Sequence, residues 1–198
     1  MGEVTREAAW ALLNEYTKTE SLLKHALCVE SAMRLYAEKG GHDVELWGAT
    51  GLLHDFDYER WPNAAMDETG HPYTGIPILR EHGYPEEMLD AIMAHAPFAN
   101  MARTTPLAIT LFAVDELCGL IMATAYMRPN KLEGLTAKSV KKKLKAKAFA
   151  AGVNREHIRI GVEELGADMG EHIMIIVEAL QSISEQLGFE SSSMEISE

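Results

Sequence analysis

Leu52-Leu53-His54-Asp55-Phe56-Asp57 is where an apolar helical run stops on an adjacent imidazole and carboxylate, both of them metal-binding groups. Neighbouring helical residues point about 100° apart, so His54 and Asp55 cannot close a site between themselves. The remaining ligands must come from other helices. The rest of the sequence is therefore read for helices that bring histidine or carboxylate to an inward face.

The chain has 198 residues, 47% of them hydrophobic, enough for one well-buried domain and too few for two stable ones. One domain over residues 1–189 is expected, with a polar, serine-rich and acidic tail, 190–198, expected to be disordered. No run is read as reaching the roughly 20 apolar residues that span a bilayer, and the first residues carry no signal-peptide pattern, so a soluble cytoplasmic protein is expected, without membrane partners. Cys28 and Cys118 are the two cysteines and both fall at apolar helical positions. They suit buried reduced thiols, which leaves nitrogen and oxygen to hold any metal. The net charge of −12 argues against wholesale nucleic-acid binding, so nucleic acid is not the expected partner, although the charge is unevenly spread. Residues 131–159 depart from that balance with nine Lys or Arg against two Glu. They read as a solvated basic helix face or as a surface for an anionic substrate.

Thr5 is placed to cap a first helix running to about Tyr16. A second helix, opened by Thr19 or Ser21 and closed by Gly40-Gly41, puts Leu22, His25, Val29, Ala32 and Tyr36 on one buried stripe. His25 is thus inward-facing. Asp43 caps the third helix, whose Leu46, Trp47, Thr50 and Leu53 lead to His54 and Asp55. A carboxylate there is costly to bury unless it is paired or bound to metal.

Residues 57–70 have turn chemistry throughout. Thr74 then caps a short helix with Pro77 in its first turn, leaving His71 just ahead of it. Pro85 starts another helix that carries His95 in its last turn. Thr105-Pro106 opens the most hydrophobic helix, with Asp115 beside its apolar stripe. Further on are a basic helix over 138–148, a helix from Asn154 to near Gly166, and a long final helix with a stripe from Ile173 to Leu187. No strand pattern or glycine-rich nucleotide loop stands out. The fold class is all-α.

His25, then His54-Asp55 after a hydrophobic helix, then Asp115 in a distant hydrophobic helix: this ordered set resembles the HD superfamily of metal-dependent phosphohydrolases. The resemblance runs from about Ser21 to Ala125 and implies an HD-type helical bundle with its core at about residues 19–125 and residues 126–189 as a C-terminal helical extension. His71-Pro72 with Gly75, and His95 at the end of the following helix, resemble the additional ligands of two-metal members. The resemblance implies that Asp55 bridges two divalent ions. One would take His25, His54 and Asp115, the other His71 and His95. The segments around His54-Asp55-Phe56-Asp57-Tyr58 and Asp115-Glu116-Leu117 look most like a branch of predicted HD hydrolases, although Tyr58 stands where several members have a lysine.

The implied activity is hydrolysis of a phosphate ester or anhydride, of a nucleotide or another small phosphorylated metabolite, by a metal-bound hydroxide. Four imidazoles and two carboxylates suit Fe, Mn, Co, Ni or Zn better than Mg. A cationic side chain should neutralise the substrate phosphate. Arg103, between the His95 and Asp115 helices, is the first candidate, followed by Arg60, Arg128 and Lys142. His42, His82, His157 and His172 match no motif position and are read as structural. The same ligand pattern also resembles diiron oxygenases of the HD fold, and a third alternative is a non-catalytic metal-containing binding or regulatory module.

Overall fold

The computed structural model describes residues 4–189, and the 190–198 tail lies outside the described residues. Nine α-helices and one short 3-10 turn make up the secondary structure, and there is no strand among the described residues. α1 (Arg6–Tyr16) is capped by Thr5, whose hydroxyl accepts from Ala8 N–H. α2 (Glu20–Gly40) ends on Gly41 in the left-handed conformation, and α3 (Val44–Leu53) starts from the Asp43 side chain, which accepts from Leu46 N–H. α4 (Gly75–Glu81) and α5 (Glu86–His95) follow, then the 3-10 turn Pro97–Ala99. α6 is Pro106–Tyr126, α7 Ala137–Lys145, α8 Arg155–Leu165 and α9 Met169–Ser182.

Two 21-residue helices, α2 and α6, form the centre. α3 and α9 pack on α2, and α5 and α8 pack on α6. The contiguous hydrophobic core runs from Ala9 in α1 to Phe189 beyond α9. By length and composition alone α6 could cross a membrane, contrary to the expectation that no segment reaches that size. Its sides explain why it is so apolar: Leu107, Leu111, Val114, Leu117, Cys118, Ile121 and Ala125 are all fully buried among the surrounding helices. It is the core helix of the bundle.

Two helix lengths differ from the sequence expectation. α7 stops at Lys145 rather than continuing to Ala148, because Ala146 leaves the helical region with φ −85° and ψ 88°. α9 stops at Ser182, and the chain turns through Gly188 at φ 75°. Leu187 still reaches the core, only 1% exposed, so the apolar stripe persisted across a turn that periodicity alone could not detect.

Close helix packing sets the position of the site. A Cβ on Gly51 would stand 2.9 Å from the backbone carbonyl of Val29, so α3 lies against α2 where only glycine fits. Three residues later in α3 comes His54, and four residues before Val29 in α2 comes His25. Gly51→Ala is therefore expected to destabilise the protein by about 1–3 kcal/mol through forced separation of these helices. Chemical denaturation measures this, and an unchanged midpoint would contradict the packing described.

Candidate metal centre

Each expected ligand is delivered by a different part of the bundle. His25 comes from the second turn of α2, His54 caps the C-terminus of α3, and Asp55 follows it in the turn. His71 sits in the connection ahead of α4, His95 is the last residue of α5, and Asp115 lies midway along α6. Their ligand atoms form two triads, His25, His54 and Asp115 in one and Asp55, His71 and His95 in the other. Within each triad the atoms lie within 4.8 Å of one another.

Asp55 faces both sides. Its Oδ2 is 3.5 Å from His54 Nε2 and 4.0 Å from His25 Nε2, while its Oδ1 is 3.2 Å from His71 Nε2 and 3.4 Å from His95 Nε2. Asp115 Oδ1 closes the first group at 3.0 Å from His25 Nε2 and 3.5 Å from His54 Nε2. Nitrogen and oxygen atoms about 2.0–2.2 Å from a shared cation stand about 3.0–3.5 Å apart at tetrahedral or octahedral angles. The donor set fits divalent transition metal.

The imidazoles are oriented from behind. His54 Nδ1 lies 2.7 Å from the Gly51 carbonyl, which accepts its proton, and His95 Nδ1 is bonded in the same way to Ile92 O. His71 Nδ1 pairs with Asp57 Oδ1 at 2.6 Å. In all three rings this leaves Nε2 as the unprotonated atom available to a cation, the arrangement by which an outer hydrogen bond fixes a ligand's tautomer. Nε2 of His54 is buried and has no hydrogen-bond partner. A buried polar atom without a partner is costly, and coordination would satisfy it.

Electrostatics follow from this packing. Burial alone would lower the His54 imidazole, but the Asp55 and Asp115 carboxylates overcome it and raise the pKa to about 9. Burial would raise Asp55 and Asp115, yet the surrounding imidazoles hold both below the usual carboxylate range. The same carboxylates that favour a proton on the imidazole would favour a divalent cation in its place, so protons and metal compete for the ligand nitrogens. The side chains of His25, Asp55 and Asp115 remain 22%, 27% and 19% exposed, so one edge of the cluster is open to a ligand from solvent.

Asp57 is a participant that the sequence reading assigned only to a turn. It is 1% exposed and accepts from Thr74 Oγ1 at 2.8 Å as well as from His71. A Cβ on Gly75 would stand 2.8 Å from its carboxylate, so the glycine opening α4 permits that approach. The loop is tied down at both ends. Thr17 Oγ1 donates to Phe56 O, Glu59 accepts from the backbone N–H groups of Lys18 and Thr19, and Asn63 Nδ2 donates to His71 O. The signal available in the sequence was a second aspartate two residues after Asp55, in a turn leading directly from the buried helix end.

The arginine candidates each have partners within the protein. Arg103 donates to both carboxylate oxygens of Glu164 at 2.6 and 2.7 Å and to Ala94 O, and its guanidinium stacks over Phe112 at 3.8 Å. Arg60 is bonded to Glu15 O over the Tyr16 ring, and Arg128 to Lys131 O. Of the histidines outside the motif, His172 is fully buried between Tyr36 and the Ala113 carbonyl, a core role. His157 lies near the site, with Nδ1 3.6 Å from Glu116 Oε1, and Glu116 in turn accepts from Asn154 N–H. Burial first, and Asp115 next, push the Glu116 carboxyl up to about 7.

Imidazole and carboxylate groups that could hold metal ions thus converge inside a helical bundle. A profile of the HD domain matches residues 22–120, half of the chain, and the chain belongs to this family, a superfamily of metal-dependent phosphohydrolases. It is also 29% identical over 147 residues to Ribonuclease Y of Thermosipho melanesiensis, a match that covers 73% of this chain and 27% of that protein. No solved structure matches the chain.

If the Asp57–His71 pair orients a ligand, Asp57→Asn should weaken retention of metal at the His71–His95 side by about tenfold or more without unfolding the protein. Chelator competition followed by metal analysis measures this. Retention equal to that of the unaltered protein would contradict the orienting role.

Proposed function

We propose that this protein is a two-metal phosphohydrolase in which Asp55 bridges the ions. His25, His54 and Asp115 complete one coordination sphere, and His71 and His95 the other. The observation that supports this most strongly is the division of Asp55: Oδ2 faces the His25–His54 pair and Oδ1 the His71–His95 pair. The proposed cations are Fe, Mn, Co, Ni or Zn. The substrate is a phosphate ester or anhydride of a nucleotide or another small phosphorylated metabolite. Similarity to a protein named as a ribonuclease supports phosphate-ester chemistry as the class. The unit of function is residues 1–189 as one domain, with its HD core at about 19–125 and α7–α9 as the extension.

When bound, a pair of divalent cations supplies Lewis acidity and a water acidified toward neutral pH. The protein's share is to fix the geometry. The backbone carbonyls of Gly51 and Ile92 and the Asp57 carboxylate hold three imidazoles with Nε2 inward. The exposed edges of His25, Asp55 and Asp115 leave the approach for the phosphoryl group. Arg103 meets the phosphate only by exchanging Glu164, so positioning falls first to the metal ligands.

Asp55→Ala should retain less than half of the metal bound by the unaltered protein, because each coordination sphere loses an oxygen. Stoichiometric retention would remove Asp55 from the bridging role. Anaerobic reconstitution followed by a screen of nucleotides, dinucleoside polyphosphates and sugar phosphates tests the reaction class, with oxygen uptake followed in parallel. Phosphate-ester cleavage with Mn or Co and no oxygen uptake is expected. An iron requirement with oxygen consumption and intact esters would instead identify an oxygenase.

A further inference from the structure

Among the described residues, most cationic groups outside the 138–147 segment are already paired or bonded. Arg6 and Arg34 bind Glu30, Lys24 binds Glu20, Lys39 binds Glu178, Arg80 binds Glu86, and Arg159 binds Glu156 and Glu163. The segment 138–147 is different. It holds six lysines and no acidic residue, and no carboxylate among the described residues forms a salt bridge with any of them. Lys141 feels the Asp168 carboxylate and Lys143 lies over the Phe149 ring, but in a chain with 30 acidic and 18 basic residues six lysines without a salt bridge in one segment concentrate positive potential there.

That potential has a shape. Lys138, Lys141, Lys142 and Lys145 line a hollow of about 640 Å³ on α7. Lys145 also borders a second hollow, of about 540 Å³, with Lys147, Val153 and Asn154. The loop between α7 and α8 is held in place: Arg155 donates to the carbonyls of Phe149, Ala150 and Val153, and Ala150 is kept at φ 45°, a left-handed conformation unusual for alanine. The second hollow is also lined by Arg155 and by Glu156, which is paired with Arg159, and its Asn154 donates its backbone N–H to Glu116 at 3.0 Å. Glu116 is the neighbour of Asp115. Asn154 thus joins the lining of the second hollow, through Glu116, to the α6 position next to Asp115.

We propose that the α7 face and the loop after it bind the phosphodiester backbone of a single-stranded oligonucleotide and direct one of its phosphates to the Asp55 centre. The binding rests on the lysine track, and the reaction at its end rests on the hydrolase function proposed above. Charge complementarity selects a chain of phosphates, and lysines read phosphate as point charges without regard to base. The recessed ligand edges select a flexible strand, because a single strand can bend a phosphate inward and a rigid duplex cannot. The overall charge of −12 opposes binding elsewhere and confines it to this track.

The test is fluorescence anisotropy of a labelled single strand of about 12 nucleotides, in ribo and deoxyribo form, against the full-length protein as purified. Strand integrity is checked after each titration. Both forms should bind, with affinity that falls as salt rises. Removing Lys142, Lys145 and Lys147 together as alanines should weaken binding at least about tenfold and flatten the log–log salt slope by about 2. A charge-matched variant, Lys18→Ala with Lys39→Ala and Arg80→Ala, should bind like the unaltered protein, and melting curves should show all three proteins folded. No binding at low salt, equal loss in the two variants, or binding to phosphatidylserine vesicles without binding to the oligonucleotide would overturn the proposal. Strand binding without cleavage of any phosphate ester would support the track and count against the hydrolase function alone.

Discussion

Everything in this structure is arranged around a carboxylate that four imidazoles surround. Asp55 could not be kept there by hydrophobic packing, which opposes burial of charge. It is tolerated because His54 and His25 face one oxygen and His71 and His95 the other. That requirement reaches outward into the fold. The four histidines occupy α2, the end of α3, the connection before α4 and the end of α5, and Asp115 adds α6, so five elements have to meet at one point. The tight crossing at Gly51 and the tethered 56–71 loop are how they do so.

The arrangement also divides the labour between rigid and accessible parts. His54, His71 and His95 are buried and braced from behind by a carbonyl or by Asp57, whereas His25, Asp55 and Asp115 keep an edge toward solvent. Rings braced in this way keep their tautomer and spacing, which imidazoles need if they are to hold a metal ion. The open edge is where an oxyanion can arrive. Arg103, tied to Glu164 and Ala94, braces the connection between α5 and α6 in this structure.

The helices and most of their caps were legible in the sequence through local rules, while Thr19 and Thr74 stand at N-cap positions without a side-chain bond to their helices. Thr5, Asp43, Thr105 and Asn154 cap through their own side chains, and the apolar stripes have helical periodicity. His25, His54, Asp55 and Asp115 stood out for a physical reason, since polar groups on apolar faces need partners. His71 and His95 carried a weaker signal, a loop position and a helix end, and came into view through family resemblance. Asp57 was missed because turn-forming neighbours imply exposure, while its burial depends on a tertiary approach to Gly75 that no local pattern encodes. The lysines of α7 posed the opposite problem. Their composition suits a solvated face, and only the pairing of the cations elsewhere shows that these are left over.

The central claim is that Asp55 joins two cations, and diffraction from metal-loaded crystals at the absorption edge of the bound metal tests it most directly. Two anomalous peaks about 3.5–4 Å apart, one on each side of the Asp55 carboxylate, are predicted. A single peak, or a pair to which Asp55 contributes no oxygen, would contradict the account.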